Sequence, residues 1–273
     1  MVEVKKQRPF RLGTTSFIYP DHIIPNVRKI GPYFDEIELL VFESIPKEVI
    51  PSAEDVQVLK ALGEDLQLTY NIHLPVDISL TSYLGPERQK AADILNRVLE
   101  RFAPIAPTSH TLHLDMDRDL RDGQSIAEWK DHARQGLELW VPGLDDPGMI
   151  SVETLWYDPG HLTSLIEDFN LSVCLDAGHH FKYGYDLAKS FRLFDGRIPL
   201  MHLHGVDFGA RDSNGRPKDH QGLDRFSEEH FGQVVEELTG FKGTVSLEVF
   251  NLCNLKASLT VLDRVFESIP EFN

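Results

Sequence analysis

Histidine and carboxylate residues stand at or near the ends of strand-like segments that are spread along the whole chain. The clearest of these segments are Asn71–His73, Leu112–Asp115, Ser151–Glu153, Leu175–His179, Met201–His204 and Ser246–Glu248. Imidazole and carboxylate groups together are suited to binding Zn²⁺, Mn²⁺ or Fe²⁺. The segments are far apart in sequence, so only a fold that gathers many strand ends can make these side chains neighbours. We therefore expect a metal-dependent enzyme.

The elements that would position these residues alternate along the chain. The candidate strands are Phe10–Phe17, Phe34–Val41, Leu66–His73, Thr108–Asp115, Met149–Leu155, Leu171–Asp176, Ile198–Gly205 and Gly243–Val249. The candidate helices are Ala53–Leu62, Glu87–Phe102, Ser125–Leu139, His161–Asp168, Leu187–Phe191, Ser227–Leu238 and Leu255–Phe266. Strands that alternate with helices predict βαβ units and a parallel sheet. We expect an α/β protein, a (β/α)8 barrel, with one domain over residues 1–273 and all strand C-termini on one face.

Within several candidate strands the polar residues share a face with the candidate ligand. Gln67 and Asn71 alternate in phase with His73, and Ser246 does so with Glu248. This pattern predicts a polar barrel interior that leads to one site, whereas ordinary barrel interiors are rich in Val, Ile and Leu. An antiparallel sheet with one wet face would alternate in the same way, but the helices between the strands favour the barrel.

Charge and cysteine content narrow the range of functions. The 273 residues carry a formal net charge of −16, which argues against nonspecific binding to nucleic acid. Divalent ions in a pocket can reverse the local field, so an anionic small molecule is still compatible with this charge. The sequence lacks an apolar run of about 18 residues, and Met1–Phe10 is charged rather than apolar. Cys174 and Cys253 are too few for a disulfide framework, so we expect a cytoplasmic protein without a membrane span.

One segment resembles a known superfamily. Asp176–Phe181 (DAGHHF) followed by Gly184–Leu187 (GYDL) is similar to the D-x-x-H…G-Y-D-L segment of the apurinic endonucleases of the xylose-isomerase-like barrel superfamily. Met201–Leu203 resembles the next strand of these enzymes, and the likeness covers nearly the whole chain in strand order. The resemblance implies the barrel fold and a metal site, and it says much less about the substrate.

The same resemblance implies how metal ions would be held. One ion would be bound by His73, His113 and Glu153. A second would be bound by Glu153, Asp176, His202 and Glu248, so that Glu153 would bridge the two. A third would involve His179 and His220. The expected cofactors are therefore two divalent ions, Zn²⁺, Mn²⁺ or Fe²⁺, with a third site beside them.

The chain departs from the endonuclease pattern at the third site. Those enzymes have an aspartate two residues before the last histidine, where this chain has Lys218, and Asp219 is the nearest replacement. His204 stands where they carry asparagine, and we expect it to contact the substrate. Arg211, Arg216 and Lys218 follow the seventh strand in what we expect to be a loop. They would clamp a phosphate of the substrate, and a solvated surface loop is the alternative.

The N-terminal part carries a narrower likeness. Gly13–Pro20 (GTTSFIYP), Pro25–Val27, Glu36–Ser44 and His73–Pro75 resemble segments of the cobamide-remodelling phosphodiesterases. Those enzymes open the nucleotide loop of cobamides, the vitamin B12-like corrinoids, so that another lower base can be installed. The resemblance implies a metal-dependent hydrolase, a phosphodiesterase, with a cobamide as its small-molecule substrate.

The residues allow a mechanism and leave alternatives open. For a phosphodiesterase, Glu153 and Glu248 are the expected catalytic carboxylates. Asp115 would orient a metal-binding side chain without binding the metal itself. A sugar, or sugar phosphate, isomerase or epimerase would use one metal ion and let Glu153 and Glu248 move protons at carbon. His73 and His113, poised for an extra ion, favour the phosphodiesterase. A non-catalytic metal- or corrinoid-binding protein would need no bridging carboxylate, and the acidity counts against a duplex DNA substrate. The sequence does not indicate an oligomeric state.

Overall fold

A closed barrel of eight parallel strands forms the centre of the protein. The computed structural model describes residues 8–42, 50–116 and 123–266. The barrel strands are β1 (Arg11–Thr15), β2 (Glu36–Leu40), β3 (Thr69–His73), β4 (His110–Leu112), β5 (Ile150–Glu153), β6 (Ser172–Asp176), β7 (Leu200–Leu203) and β10 (Thr244–Leu247). Each pairs in parallel with its neighbours in chain order, and β10 closes the barrel by pairing with both β7 and β1. The predicted (β/α)8 barrel is confirmed.

Helices follow most of the barrel strands. They are α1 (Ile23–Ile30), α2 (Ala53–Leu66), α3 (Gly85–Phe102), α4 (Gly123–Trp140), α5 (Thr163–Asp168), α6 (Ala177–Tyr183), α7 (Leu187–Leu193), α8 (Glu228–Gly240) and α9 (Leu252–Phe266). The short helices α1 and α6 are not among the expected ones. Pro25 lies in the first turn of α1, where a missing N–H costs little because the first N–H groups of a helix have no partner in it.

The segment after β7 is a hairpin. Two antiparallel strands, β8 (Gly205–Arg211) and β9 (Pro217–Gln221), form a separate two-stranded sheet with irregular register. The expectation of a loop here is wrong. β8 is rich in small and polar residues and is largely exposed beyond Val206, so it lacks the apolar alternation by which strands are recognised.

Strand β3 begins later than expected, at Thr69 instead of Leu66, because α2 extends to Leu66. Leu66 is the last residue of α2, and Gln67 caps this helix with a left-handed backbone (φ 49°). The Gln67 N–H donates to Glu64 O, and β3 begins only at Thr69. Gln67 therefore lies outside the strand, and the predicted polar face of β3 begins with Thr69.

The barrel interior is polar, in agreement with the alternating pattern. Glu36 of β2 is buried and accepts hydrogen bonds from Asn71 Nδ2 at 2.9 Å, Thr69 Oγ1 at 2.8 Å and Thr108 Oγ1 at 2.7 Å. Ser109 Oγ and Ser151 Oγ lie 2.7 Å apart between β4 and β5. A buried polar group without a partner costs about 1–3 kcal/mol, and these side chains supply partners to one another.

The hydrophobic core lies between the outer face of the sheet and the helices. Ile37, Val173 and Leu175 point outward from their strands and are fully buried. Leu59 of α2 and Leu95 of α3 are also fully buried. Burying one such side chain contributes about 1.5–3 kcal/mol. Stability therefore comes mainly from this outer layer, which leaves the interior free to carry polar groups.

Residues in the N-terminal segments that resemble the cobamide-remodelling enzymes form hydrogen bonds near the end of β1. Thr14 Oγ1 donates to Leu247 O and Thr15 Oγ1 donates to Val249 O, both at 2.9 Å, so β1 is tied to the end of β10. Asn26 is buried and accepts a hydrogen bond from the Tyr19 N–H at 2.8 Å. These contacts fix the chain where it leaves β1, next to the face at which the strands end.

Four segments lie outside the described residues: 1–7, 43–49, 117–122 and 267–273. They contain Glu43 and Ser44 of the cobamide-enzyme likeness and most of the charged N-terminal segment. The single domain over residues 1–273 therefore stays a prediction for the chain as a whole. Among the described helices, none is long and apolar enough to cross a membrane. Both cysteines are free; Cys174 is buried and Cys253 is exposed.

Candidate metal centre

The C-terminal ends of the strands bring the predicted ligands together. Three groups of side chains have ligand atoms that lie within 4.8 Å of one another. We call them the first group (His73, His113 and Glu153), the second group (Glu153, Asp176, His202 and Glu248) and the third group (His179, His204 and His220). All eight predicted metal ligands fall in these groups, and His204 joins them. Their role as ligands stays a prediction.

In the first group, one nitrogen of each histidine ring faces Glu153. His73 Nε2 lies 3.2 Å and His113 Nε2 lies 2.8 Å from Glu153 Oε2. The other ring nitrogen of His73, Nδ1, is 3.1 Å from Leu74 O, to which it can only donate. This contact assigns the proton to Nδ1 and leaves the Nε2 lone pair directed at the site. Asp115 Oδ1 lies 3.8 Å from His113 Nδ1, and its role in orienting this ring stays a prediction.

The second group contains polar atoms that lack partners. His202 Nδ1 lies 3.4 Å from Glu248 Oε2 and 3.6 Å from Glu153 Oε2. His202 Nδ1 and Glu248 Oε2 are buried, and neither has a hydrogen-bond partner. Native structures rarely leave buried polar atoms unsatisfied unless an ion or water completes the site. The donor set, one imidazole with three carboxylates, fits a divalent first-row ion.

The electrostatics keep these carboxylates ionised. Burial raises the pKa of Glu153, but the charges of His113 and His202 outweigh this effect. The pKa of Glu153 is therefore well below its usual value. Burial likewise raises the pKa of Glu248, but His220 and His202 bring it below the ordinary value. Burial lowers the pKa of His113, but the charge of Glu153 outweighs it and raises that pKa to about 9. The group thus offers anionic oxygens, and an ion must displace ring protons to bind.

The third group is completed by His204 rather than by Asp219. His204 is fully buried, with Nε2 3.2 Å from Asp176 Oδ1, and its Nδ1 accepts the His220 N–H at 3.0 Å. A third ion would therefore have to replace the Nε2 proton. Asp219 Oδ2 is 2.6 Å from Lys182 Nζ but 3.9 Å from His179 Nε2. Its charge is neutralised by a lysine, which makes it a poor replacement for the aspartate of the endonucleases.

Gly178 makes room for the His204 ring. A Cβ atom at Gly178 would lie 2.1 Å from His204 Cε1 and 2.3 Å from Nδ1, so the ring would have to move. Asp176 caps the first turn of α6 by accepting the His179 N–H at 2.8 Å, so the same short segment positions residues of two groups. The contact of His204 with substrate stays a prediction.

The three basic residues of the expected phosphate clamp lie on the hairpin. Arg211 ends β8 and is exposed, and Lys218 of β9 is exposed. Arg216 is half-buried with its guanidinium 5.4 Å from the centre of the Tyr183 ring. Lys182, in the neighbouring α6, is held between Asp212 at 2.9 Å and Asp219 at 2.6 Å and anchors the hairpin. The phosphate clamp stays a prediction.

Glu38 is a residue of the site that sequence reasoning missed. Its side chain is fully buried inside the barrel, and Oε1 lies 2.8 Å from His202 Nε2. The alternation of residues in β2 could have revealed it, because Glu36 and Glu38 share the inward face while Ile37 and Leu39 point outward. Glu38 was overlooked because it precedes the strand end, where the other candidate ligands stand.

Comparison with known proteins places this geometry in a family. The family model described as xylose isomerase-like TIM barrel matches residues 24–265. A curated relative, a probable endonuclease 4 from Natronomonas pharaonis, is 27% identical over 153 residues, which cover 50% of this chain and 52% of the relative. The match thus spans about half the length of that relative.

Solved structures similar to this chain include several sugar epimerases. A D-tagatose 3-epimerase-like protein has a TM-score of 0.74 and 18% identity, over 96% of this chain and 99% of that one. The D-psicose 3-epimerase of Clostridium cellulolyticum H10 has a TM-score of 0.64 and 14% identity, over 93% and 98%. At such identities the likeness shows the fold.

Proposed function

Because this chain belongs to the xylose isomerase-like TIM-barrel family, we propose that it is a metal-dependent phosphodiesterase that acts on a small molecule. The observation that carries the proposal is the position of Glu153. One of its oxygens, Oε2, faces both histidines of the first group and lies 3.6 Å from His202 Nδ1 of the second. Two adjoining sites that share a carboxylate are suited to phosphodiester hydrolysis, whereas an epimerase that uses one ion needs only the second group.

The chain's own residues would each have a defined task in this reaction. Two divalent ions supply an activated water and stabilise the leaving oxygen when they are bound. Glu153 would fix the spacing of the two sites, and Glu248, whose unpartnered Oε2 faces His202, would complete the second one. The surrounding burial keeps bulk water away from these groups and strengthens their interactions.

A cobamide is the substrate that we propose for this site. The likeness of Gly13–Pro20 to the cobamide-remodelling phosphodiesterases supports it. Aromatic side chains beside the site also favour a large, flat ligand: the exposed Phe250 lies with its ring centre 5.0 Å from that of His220. Phe17 and Phe42, which follow β1 and β2, pack edge to face at 6.2 Å. The formal net charge of −16 disfavours duplex DNA as the substrate.

Mass spectrometry of an adenosylated cobamide incubated with the metal-loaded protein tests this proposal. We expect release of the nucleotide-loop fragment by the wild type, with no release by the Glu153→Gln variant, because both groups lose their shared anion. His73→Ala should also abolish release. An intact cobamide in the presence of Zn²⁺, Mn²⁺ and Fe²⁺ would contradict the cobamide assignment.

A sugar epimerase is the second candidate, favoured by the similar solved structures. Its test is solvent deuterium incorporation into ketohexoses such as D-tagatose, followed by NMR. Glu153 and Glu248 would move the proton at carbon in this reaction. His73→Ala separates the two functions, because it removes a member of the first group and leaves the second intact. Exchange that survives His73→Ala would support the epimerase and contradict the two-ion phosphodiesterase.

A further inference from the structure

Two buried carboxylates lie on the inner face of β2, and their surroundings differ. Glu36 accepts three hydrogen bonds, from Asn71, Thr69 and Thr108, and its Oε2 is 3.6 Å from Arg11 Nη1. Its negative charge is therefore met by a cation and by hydroxyl and amide donors. These partners explain how the charge of Glu36 can be buried, and no metal ion is needed for it.

Glu38 lies two residues further along the strand and faces the second group. Its Oε1 accepts the His202 Nε2–H at 2.8 Å, and its Oε2 accepts the Ser246 hydroxyl at 2.7 Å. Both Glu38 and His202 are fully buried. An ionised carboxylate can only accept a hydrogen bond, so this contact assigns the His202 proton to Nε2.

When the ring is neutral, the opposite nitrogen of the same ring carries the lone pair. His202 Nδ1 points towards Glu248 Oε2 at 3.4 Å and Glu153 Oε2 at 3.6 Å, and it has no hydrogen-bond partner. A neutral imidazole with its lone pair aimed at carboxylates is destabilised unless a cation lies between them. The ring of His202 thus connects a carboxylate on one side with an ion site on the other.

We propose that Glu38 is a positioning residue that fixes His202 in the Nε2-protonated form and so makes Nδ1 a metal ligand. The inference rests on the proposed metal centre and adds a residue that would not itself touch the ion. Its negative charge would increase the electron density that His202 donates, and its hydrogen bond would fix the plane of the ring. In metal sites, loss of such a partner typically weakens metal affinity about 10–100-fold.

Cobalt binding to the whole chain tests the role of Glu38, with Glu36→Gln as the matched control. Glu38→Gln keeps the shape of the side chain and removes its charge. We measure the Co²⁺ affinity by competition with a chelator, and the visible absorption of the bound ion. Glu38→Gln should weaken the binding of one ion, that of the second group, about 10–100-fold and change its spectrum. Glu36→Gln removes an equally buried charge away from the three groups and should leave both readouts at wild-type values.

The ring nitrogen that binds the ion can also be identified without any substitution. In ¹¹³Cd-loaded, ¹⁵N-labelled wild type, we expect cadmium to couple to His202 Nδ1. Coupling to Nε2 would overturn the proposal, as would a Glu38→Gln variant with wild-type affinity and spectrum. Should the wild type itself bind no divalent ion, the metal centre is wrong rather than only the role of Glu38. A melting temperature of each metal-free variant, compared with the wild type, verifies that the chain still folds.

Discussion

At the scale of single residues, the missing side chain of Gly178 decides where the His204 ring can lie. Gly178→Ala would place a Cβ atom 2.1–2.4 Å from three atoms of this ring, so the imidazole must move. Asp176, which His204 Nε2 contacts at 3.2 Å, would lose this contact. We expect a loss of activity of about a hundredfold, which a misplacement of about 1 Å in an active site can cause. Initial rates on whichever substrate the cobamide and sugar assays identify measure this loss.

Gly232→Ala is the control for this substitution. Gly232 is also a helical glycine, in α8, but an added Cβ atom would meet nothing within 4 Å. Because alanine favours helix by about 1 kcal/mol over glycine, this variant should be as active as the wild type and at least as stable. Full activity of Gly178→Ala would show that the position of the His204 ring is not required.

At the scale of elements, the hairpin β8–β9 depends on one lysine of α6. The Lys182 side chain is almost fully buried between Asp212 and Asp219. Lys182→Met would leave two carboxylates facing each other without a cation, so the hairpin should open more often. Arg211 and Lys218 supply trypsin sites in it, whereas the bond after Arg216 precedes Pro217 and resists trypsin. We expect native-state cleavage there to accelerate about tenfold, which corresponds to about 1.4 kcal/mol.

Lys189→Met serves as the matched control for the hairpin. Lys189 is exposed on the neighbouring helix α7, and its loss should leave the cleavage rate of the hairpin unchanged. Equal cleavage of the Lys182→Met and Lys189→Met variants, measured by mass spectrometry of the fragments, would mean that the ion pairs do not hold the hairpin.

Strand β4 carries a histidine that makes stability depend on pH. His110 is buried, its Nδ1 has no hydrogen-bond partner, and burial lowers its pKa from 6.5 to about 4. Below pH 6.5 the unfolded chain therefore binds a proton at His110. The folded chain binds a proton at this residue only near pH 4. Stability is fully present above pH 6.5 and falls as the pH decreases, by about 2 kcal/mol at pH 5 and about 3 kcal/mol at pH 4.

Urea unfolding of the wild type and of His110→Leu isolates this effect. The other titrating groups are common to both chains, so the difference between their unfolding free energies at pH 7.5 and pH 5 reports on His110. The variant should lose about 2 kcal/mol less than the wild type over this range. Identical pH profiles would indicate that His110 is protonated or solvated in the folded state.

The elements differ in how far the sequence predicts them. The strands that carry the candidate ligands are predictable because a buried strand ending in His, Asp or Glu has an unusual pattern, as in Ser172–Asp176. The hairpin is not, since an exposed strand such as Pro217–Gln221 has no apolar face to give it periodicity. The place of His204 in the third group depends on the space beside Gly178, a contact between helix α6 and the residue after β7 that local spacing cannot express.

At the scale of the whole molecule, metal ions should contribute to folding. The centre concentrates buried carboxylates, and an ion that binds only the folded chain stabilises it by about 2.7 kcal/mol at a hundred times its dissociation constant. For a chain of this size we expect a rise in melting temperature of roughly 5–10 °C. Differential scanning fluorimetry with Zn²⁺ or Mn²⁺ measures the rise, and a chelator should reverse it. No shift with either ion would contradict the metal centre.

The polar interior of the barrel has a thermal consequence. Unfolding exposes apolar surface, which increases the heat capacity, and polar surface, which decreases it. Here the interior releases groups such as Glu36, Asn71 and Ser151 instead of hydrocarbon. The heat-capacity increment should therefore fall below the roughly 3.3–4.1 kcal/mol/K expected for an average protein of 273 residues. A smaller increment flattens the stability curve, so the fold would keep its stability over a wider span of temperature, including the cold side.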